Sequence, residues 1–360
     1  MSMNSRVFIN GRFLTQPTSG VQRYAREVVC ALDNLINDDA EYAALRGRIS
    51  LLTPQGSNND LELSAIQSMS VGRSSGHVWE QFELPPAVQG GFLINLCNSG
   101  PIVRREQLVV LHDASIYRLP KTFSKTYRVL HKAIDWALAA KCQIATVSYF
   151  SAAELSDVLD VPIPDQYVLP NAVDHILSAK PDATILAHAE GLPFFLFVGG
   201  NSPRKRLDLV YQAASQINSD FVVLVTGKTG SGIFGNTDRV DGGRVRWVGQ
   251  VSDQALSALY MNCRALLFPS DYEGFGVPLL EAAHLNCPVI ATDIPSTVEV
   301  LGSGFRTVKP GDATALAAAM VDALNGDLMP PPSPTYSWRS TAKRLASVIM
   351  APDERRSKVV

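Results

Sequence analysis

Short apolar runs that end in Gly, Asn, Asp or Pro recur along the chain. They alternate with stretches of about ten to fifteen residues whose apolar positions follow a helical period, the mark of βα units around parallel sheets. In the first half the runs predict buried strands at 7–10, 49–53, 92–96, 108–111, 144–147 and 167–169. In the second half they predict strands at 194–198, 221–225, 245–248, 265–268 and 289–291. Two series of strands predict an α/β protein of two doubly wound domains, with ligands at the carboxyl ends of the strands and in the cleft between the halves.

The best seam is Pro170-Asn-Ala-Val-Asp174, followed by a polar stretch before the next strong run at Phe194. A boundary near residue 173 gives an N-terminal domain over 1–172 and a second domain over 173–334. The run Pro330-Pro-Pro-Ser-Pro334 cannot be helical and reads as a stiff connector. Beyond it, 335–350 carries a helical apolar stripe, so 335–360 is expected as a final helix and charged tail.

A length of 360 residues agrees with two domains at roughly 150 residues each. Near-balance of 32 basic and 34 acidic residues gives no global case for nucleic-acid binding. The five cysteines are scattered and never spaced C-x-x-C, which argues against a disulfide framework or a structural zinc site. A reducing cytoplasm is the expected setting. No apolar stretch approaches the roughly 20 residues that span a bilayer, and the N-terminus lacks the hydrophobic region of a signal peptide.

Four places could carry chemistry. In Phe268-Pro-Ser-Asp-Tyr-Glu-Gly-Phe-Gly-Val-Pro-Leu-Leu-Glu281 a strand opens into a glycine loop and then a helix start with Pro278 at its first position. Backbone N–H groups there would meet an anion, and Glu273 and Glu281 would share one ligand. The spacing of Ser270 and Glu273 also fits a capping box, with Glu281 merely complementing the helix dipole. In Phe197-Val-Gly-Gly-Asn-Ser-Pro-Arg-Lys-Arg206 three cations follow a strand and would neutralise a diphosphate, although a solvated surface loop has the same look. Thr18-Ser-Gly20 offers a third helix start, which ordinary capping explains equally well. His112-Asp113 follows the run 108–111 directly.

Gly230-Ser-Gly-Ile-Phe-Gly235 matches G-x-G-x-x-G but is followed by loop residues instead of a helix, so a dinucleotide site is not expected. There is no D-x-D metal clamp, no G-x-x-x-x-G-K-[ST] loop, no G-x-S-x-G elbow and no H-E-x-x-H.

Taken in order, these residues resemble the retaining glycosyltransferases of family 4. Glu273-Gly-Phe-Gly-Val-Pro-Leu-Leu-Glu281 matches that family's E-x7-E signature, with Pro288-Val-Ile-Ala-Thr-Asp293 and Glu299 following. Val198-Gly-Gly-Asn-Ser-Pro-Arg-Lys205 resembles its phosphate loop. Ser19-Gly-Val-Gln-Arg-Tyr24, Trp79-Glu-Gln81, His112-Asp113, Val147-Ser148 and Pro170-Asn-Ala-Val-Asp174 are similar to the first domain and hinge of bacterial polysaccharide and O-antigen transferases. The resemblance implies a GT-B fold: two facing Rossmann-like domains, with the last helix crossing back to the first. It implies a catalytic set of Glu273, His112, Lys205 and Arg204. Donor contacts would come from Gly20, Gly200, Arg204, Lys205, Val251, Glu273, Gly274, Phe275, Gly276, Val277 and Glu281. In that reading Arg204 and Lys205 neutralise the diphosphate, Glu281 holds the ribose, and Glu273 with the 275–276 backbone holds the donor sugar. Gly20 donates a backbone N–H to the diphosphate, and His112 stands near the reacting sugar.

The activity so implied is metal-independent, cofactor-free transfer of a mannose-like hexose or deoxyhexose with retention. The donor is a nucleoside-diphosphate sugar, a GDP-sugar before a UDP-sugar, and the acceptor is a glycan or lipid-linked oligosaccharide. The alternative is a non-catalytic GT-B-like sugar-nucleotide sensor or partner subunit. Ala172 and Gln22 stand where many relatives have Gly, and Arg206 stands where Asn or Gly is common. The segment 121–142, with Lys121, Lys125, Arg128, Lys132 and Lys141 against Asp135, suggests peripheral contact with an anionic inner membrane face, although a half-buried domain helix with a solvated face would look the same.

Overall fold

The computed structural model describes residues 6–227 and 243–351. The Gly230–Gly235 motif therefore lies outside the described residues. The chain divides into two compact units: Met1–Ala114 with Leu130–Asn171 and Tyr336–Val360, and Ser115–Val129 with Ala172–Thr335.

The first unit holds a six-stranded parallel sheet of β1 (Val7–Asn10), β2 (Ile49–Pro54), β3 (Gln67–Val71), β4 (Phe92–Asn95), β5 (Gln107–Val110) and β6 (Gln143–Ala145), in the order β3-β2-β1-β4-β5-β6. Its central strands are continuous apolar runs because helices cover both faces of a parallel sheet. Val7, Ile9, Leu51, Leu93, Ile94, Leu108 and Val109 are fully buried. The edge strand β3 reads Gln-Ser-Met-Ser-Val and is exposed, which is why no apolar run announces it. The run 167–169 makes only an isolated bridge, Val168 to Thr146, after a short turn.

The second unit repeats the pattern with β7 (Phe194–Val198), β8 (Val222–Thr226), β9 (Val245–Gly249), β10 (Leu266–Phe268), β11 (Val289–Thr292) and β12 (Arg306–Val308), in the order β12-β11-β10-β7-β8-β9. Again the strand missing from the apolar pattern, β12, lies at an edge and has Arg306 and Thr307 exposed. Phe195 and Phe221 meet edge to face at 5.5 Å in the core beneath this sheet.

In both sheets successive strands step away in opposite directions from one central pair, β1/β4 in the first and β7/β10 in the second. Such a switch point opens a crevice at the carboxyl ends of the two strands, where ligands of doubly wound sheets bind.

The proline stretch packs within the second unit, where Ser333 Oγ donates to the Ala283 carbonyl. The helix Trp338–Met350 starts at Ser337, whose hydroxyl accepts from the Ser340 N–H at 3.2 Å, and lies against the first-unit helix Gly20–Asp38. Trp338 meets the buried Tyr24 edge to face at 5.8 Å, and Thr341 Oγ1 donates to the Pro170 carbonyl at 2.7 Å. Ala172 has no positive φ, so its backbone does not call for glycine.

Candidate functional site

The site of the second unit lies at its switch point. After β7 the chain turns through Gly199 and Gly200, with φ of 122° and 68°. A Cβ on Gly199 would come within 2.5 Å of Lys205 Nζ, so glycine is what lets the Lys205 stem fold back beneath the strand end. Lys205 Nζ donates to the Val198 carbonyl at 3.3 Å.

After β10 the loop brings Glu273 to the same place. Its carboxylate lies 3.0 Å from Arg204 Nη1 through one oxygen and 3.4 Å from Lys205 Nζ through the other, which also accepts from Ser270 Oγ at 3.2 Å. Burial alone would raise the Glu273 carboxyl, but the charges of Arg204 and Lys205 outweigh it and hold it below the usual range. Burial lowers the Lys205 ammonium, and Glu273 offsets only part of that. Two cations against one carboxylate leave one positive charge in excess, suited to an anion.

The helix after the loop is Val277–His284, with Gly276 at the N-cap at φ 96° and Pro278 at the second helical position. Ser270 and Glu273 lie upstream of that start, so their contact is no capping box. Glu281 falls in the second turn, where its Oε2 accepts from Tyr260 Oη at 2.8 Å and its Oε1 stands 3.8 Å from His175 Nε2. Tyr260 and His175 carried no sequence signal: Tyr260 sits in the apolar stripe of the helix Asp253–Asn262, and His175 follows the seam. The buried His175 Nδ1 has no hydrogen-bond partner. Gly200, Gly274, Phe275 and Gly276 are buried, whereas Val251 and Val277 are half-buried.

Arg206 occupies the left-handed region at φ 54°, which explains why Asn or Gly suits this position. Its guanidinium holds Asp208 at 2.9 Å and Asp271 at 3.2 Å, which ties the loop after β7 to the loop after β10.

Gly20 and His112 belong to the first unit. Gly20 is exposed and opens the helix Gly20–Asp38. His112 is buried, with Nε2 2.9 Å from the Leu96 carbonyl and its ring edge-on to Tyr24 at 4.7 Å. Burial lowers its pKa against the pull of the Leu96 carbonyl and Asp113, so the ring is neutral and Nε2 carries the proton.

Residues 180–337 match the family model of Glycosyl transferases group 1, and the second unit carries a domain of that family. The O-antigen chain mannosyltransferase B of Escherichia coli is 28% identical over 261 residues, which cover 66% of this chain and 65% of that protein. The alignment thus spans just under two thirds of that relative. Among solved structures, WaaG, a glycosyltransferase involved in lipopolysaccharide biosynthesis, superposes with a TM-score of 0.66 at 14% identity, covering 96% of this chain and all of that one. Anabaena HepE in complex with UDP-glucose gives 0.60 at 16% identity, covering 95% and 94%. With two parallel six-stranded sheets, the likeness defines a GT-B fold.

Proposed function

We propose that this protein moves a mannose-like hexose or deoxyhexose from a nucleoside-diphosphate sugar to a glycan or lipid-linked glycan in cell-surface polysaccharide assembly, with retention and without a metal. The observation that carries the reading is the cluster of Arg204, Lys205 and Glu273 at the switch point of the second sheet. Fixed cations there would stabilise the diphosphate as it departs, the largest electrostatic demand of the reaction. Arg204 suits a phosphate through its planar fork and Lys205 as a point charge. Glu281, aligned by Tyr260, would accept from the ribose hydroxyls. Glu273, already shared between two cations, would orient hydroxyls of the donor sugar. Retention would follow from acceptor attack on the donor's front face, the leaving phosphate taking the proton, and no protein nucleophile is assigned.

The mannosyltransferase relative supports a mannose-like sugar, for which a GDP-sugar is the first donor to try, and the UDP-glucose bound by HepE keeps a UDP-sugar second. Thermal-shift measurements with GDP, UDP, dTDP and ADP would identify the base, since a ligand of the folded state raises apparent stability by mass action. Turnover of the matching sugar nucleotide in EDTA, with the anomer read by NMR, tests retention and metal independence. Binding without turnover toward any glycan acceptor would instead favour a sugar-nucleotide sensor.

The helix Lys125–Ala139 supports a peripheral membrane role: Val129, Leu130 and Trp136 are 66%, 54% and 56% exposed among its lysines and arginine. No helix among the described residues is long and apolar enough to cross a membrane. Salt-sensitive co-sedimentation with anionic liposomes, lost in Trp136→Ser, is expected; equal recovery with neutral liposomes would refute it.

A further inference from the structure

The first sheet has its own switch point, and a built polar cluster fills it. Asn10 ends β1 and Asn95 ends β4, the two strands from which the order reverses. Asn10 Nδ2 donates to Asn95 Oδ1 and to Glu80 Oε1, each at 2.9 Å. The same Glu80 oxygen accepts from Arg12 Nε at 3.0 Å and from Ser99 Oγ at 2.9 Å, and Arg12 Nη2 donates to Ser99 Oγ at 2.6 Å. Glu80 is fully buried and its carboxyl stays below the usual range: burial would raise it, but His77, Arg12, Ser99 and Asn10 prevail.

The sequence Trp79-Glu-Gln81 shapes this cluster. It lies in a π stretch, Trp79–Glu83, continuous with the short helices on either side, and such local widenings recur at functional sites. Trp79 anchors the stretch by donating Nε1–H to the Val71 carbonyl at 2.8 Å. Gln81 clamps the loop after β4 through the Gly100 carbonyl and the Ile102 N–H, both at 3.0 Å. Glu80 is thereby fixed inward.

One member reaches solvent. His77, on the turn just before, places Nδ1 3.1 Å from Glu80 Oε2, and its side chain is 54% exposed. An ionised carboxylate can only accept, so the imidazole donates from Nδ1, and the tautomer so fixed turns Nε2 outward as a lone-pair acceptor. A carboxylate that fixes the tautomer and orientation of a histidine is the arrangement proteins use to aim such a nitrogen.

The chemistry of the cluster selects its ligand. Arg12 and Glu80 cancel, and Arg12 donates inward to Glu80 and Ser99, so the outward face offers the His77 tautomer's acceptor nitrogen and no free guanidinium. It fits a neutral hydroxyl donor better than an anion. We propose that His77, aimed by Glu80, receives a hydroxyl of the acceptor sugar and helps select that sugar. The proposal rests on the glycosyl-transfer reading for the word acceptor; carbohydrate binding at His77 can be tested without it.

The test uses the full chain with 13C,15N-labelled histidine and four methyl glycosides, of mannose, glucose, galactose and N-acetylglucosamine, with inorganic phosphate alongside. The His77 signal is assigned by its loss in His77→Ala. One glycoside is expected to shift it saturably while phosphate does not, and the 15N shifts should report a protonated Nδ1. In Glu80→Gln the tautomer preference should fall and the glycoside should bind about tenfold more weakly, the loss of one charge-assisted hydrogen bond. Circular dichroism checks that this variant is folded, and the wild-type titration decides if it is not. A His77 signal that responds to phosphate alone, or to no glycoside, overturns the proposal. Nucleotide binding measured on the same sample separates this failure from failure of the transfer reading.

Discussion

Arg204 Nη1 stands 3.0 Å from Glu273 Oε2, so the guanidinium expected to receive a diphosphate is already engaged by a carboxylate. A ligand phosphate must share Arg204 with Glu273, and that competition gives the first prediction. In Glu273→Gln, nucleoside diphosphate should bind as tightly as before or more tightly, because a like charge is gone. Sugar transfer should fall about 100-fold, the scale of losing one preorganised polar group. Calorimetric titration with the nucleotide and initial rates on the same preparation check the split.

Tyr260 aligns Glu281 through a single 2.8 Å hydrogen bond inside the second unit. Tyr260→Phe removes the donor and leaves a buried carboxylate oxygen short of a partner, a cost of about 1 to 3 kcal/mol. The variant should unfold at lower urea concentration and bind ribonucleotides more weakly. Its affinity for the 2′,3′-dideoxy nucleotide should be nearly unchanged, because that analogue lacks the hydroxyls Glu281 would hold. Equal weakening toward both nucleotides would remove Glu281 from the ribose.

The pKa values of His112 and His131 are both lowered in the folded chain, mainly by burial. The unfolded chain therefore binds their protons more readily, and stability present above about pH 6.5 is lost as pH falls below that value. Each group contributes a slope of at most about 1.4 kcal/mol per pH unit. Glu80 and Glu273, held below the usual range, add a second loss as the pH drops below about 4. Urea unfolding from pH 7.5 to 4.5 should show the first decline, and His112→Asn should make it shallower.

Trp338 is buried against Tyr24 and begins the helix that covers Gly20–Asp38. Trp338→Ala should cost about 3 to 5 kcal/mol, the range for truncating a buried aromatic. Chemical denaturation measures the loss, and trypsin should cut at Arg339 or Lys343 sooner as the helix detaches.

Arg206 adopts a backbone conformation that costs a non-glycine residue about 1 to 2 kcal/mol, set against its ion pairs to Asp208 and Asp271. Arg206→Gly removes both effects, so stability should change by less than about 1 kcal/mol, because half-exposed pairs are worth little. Nucleotide affinity should weaken, since the loops after β7 and β10 lose the residue that ties them. Unchanged affinity would show that Arg204 and Lys205 are positioned without it.

The sequence was most legible where burial was complete. Continuous apolar strands such as Phe194–Val198 and Val289–Thr292 announced themselves, because a strand covered on both faces has no polar position to break the run. The edge strands β3 and β12 did not, since Gln67, Ser68, Ser70, Arg306 and Thr307 are free to be polar at a sheet's rim. Glu273, Arg204 and Lys205 were legible as neighbours because each follows a strand that ends at the same crevice. Tyr260 was illegible because a buried tyrosine in an apolar stripe looks like core until its hydroxyl finds a partner. Glu80 was legible only as part of a family-like triplet: its partners Asn10, Arg12 and Ser99 are 70, 68 and 19 residues away, and no local spacing records such a network.

The helix Trp338–Met350 belongs to the first unit although Ala172–Thr335 intervenes. On the ribosome the order of completion is therefore inverted. The whole of the second unit's long segment emerges before the piece that packs on Tyr24 and its helix, whereas domains usually finish in the order they are made. Until residue 350 has cleared the exit tunnel, the helix Gly20–Asp38 lacks its packing partner and Tyr24 lacks Trp338. The first unit's dependence on chaperones and its sensitivity to translation speed should therefore be set by how soon Trp338–Met350 follows the second unit's segment.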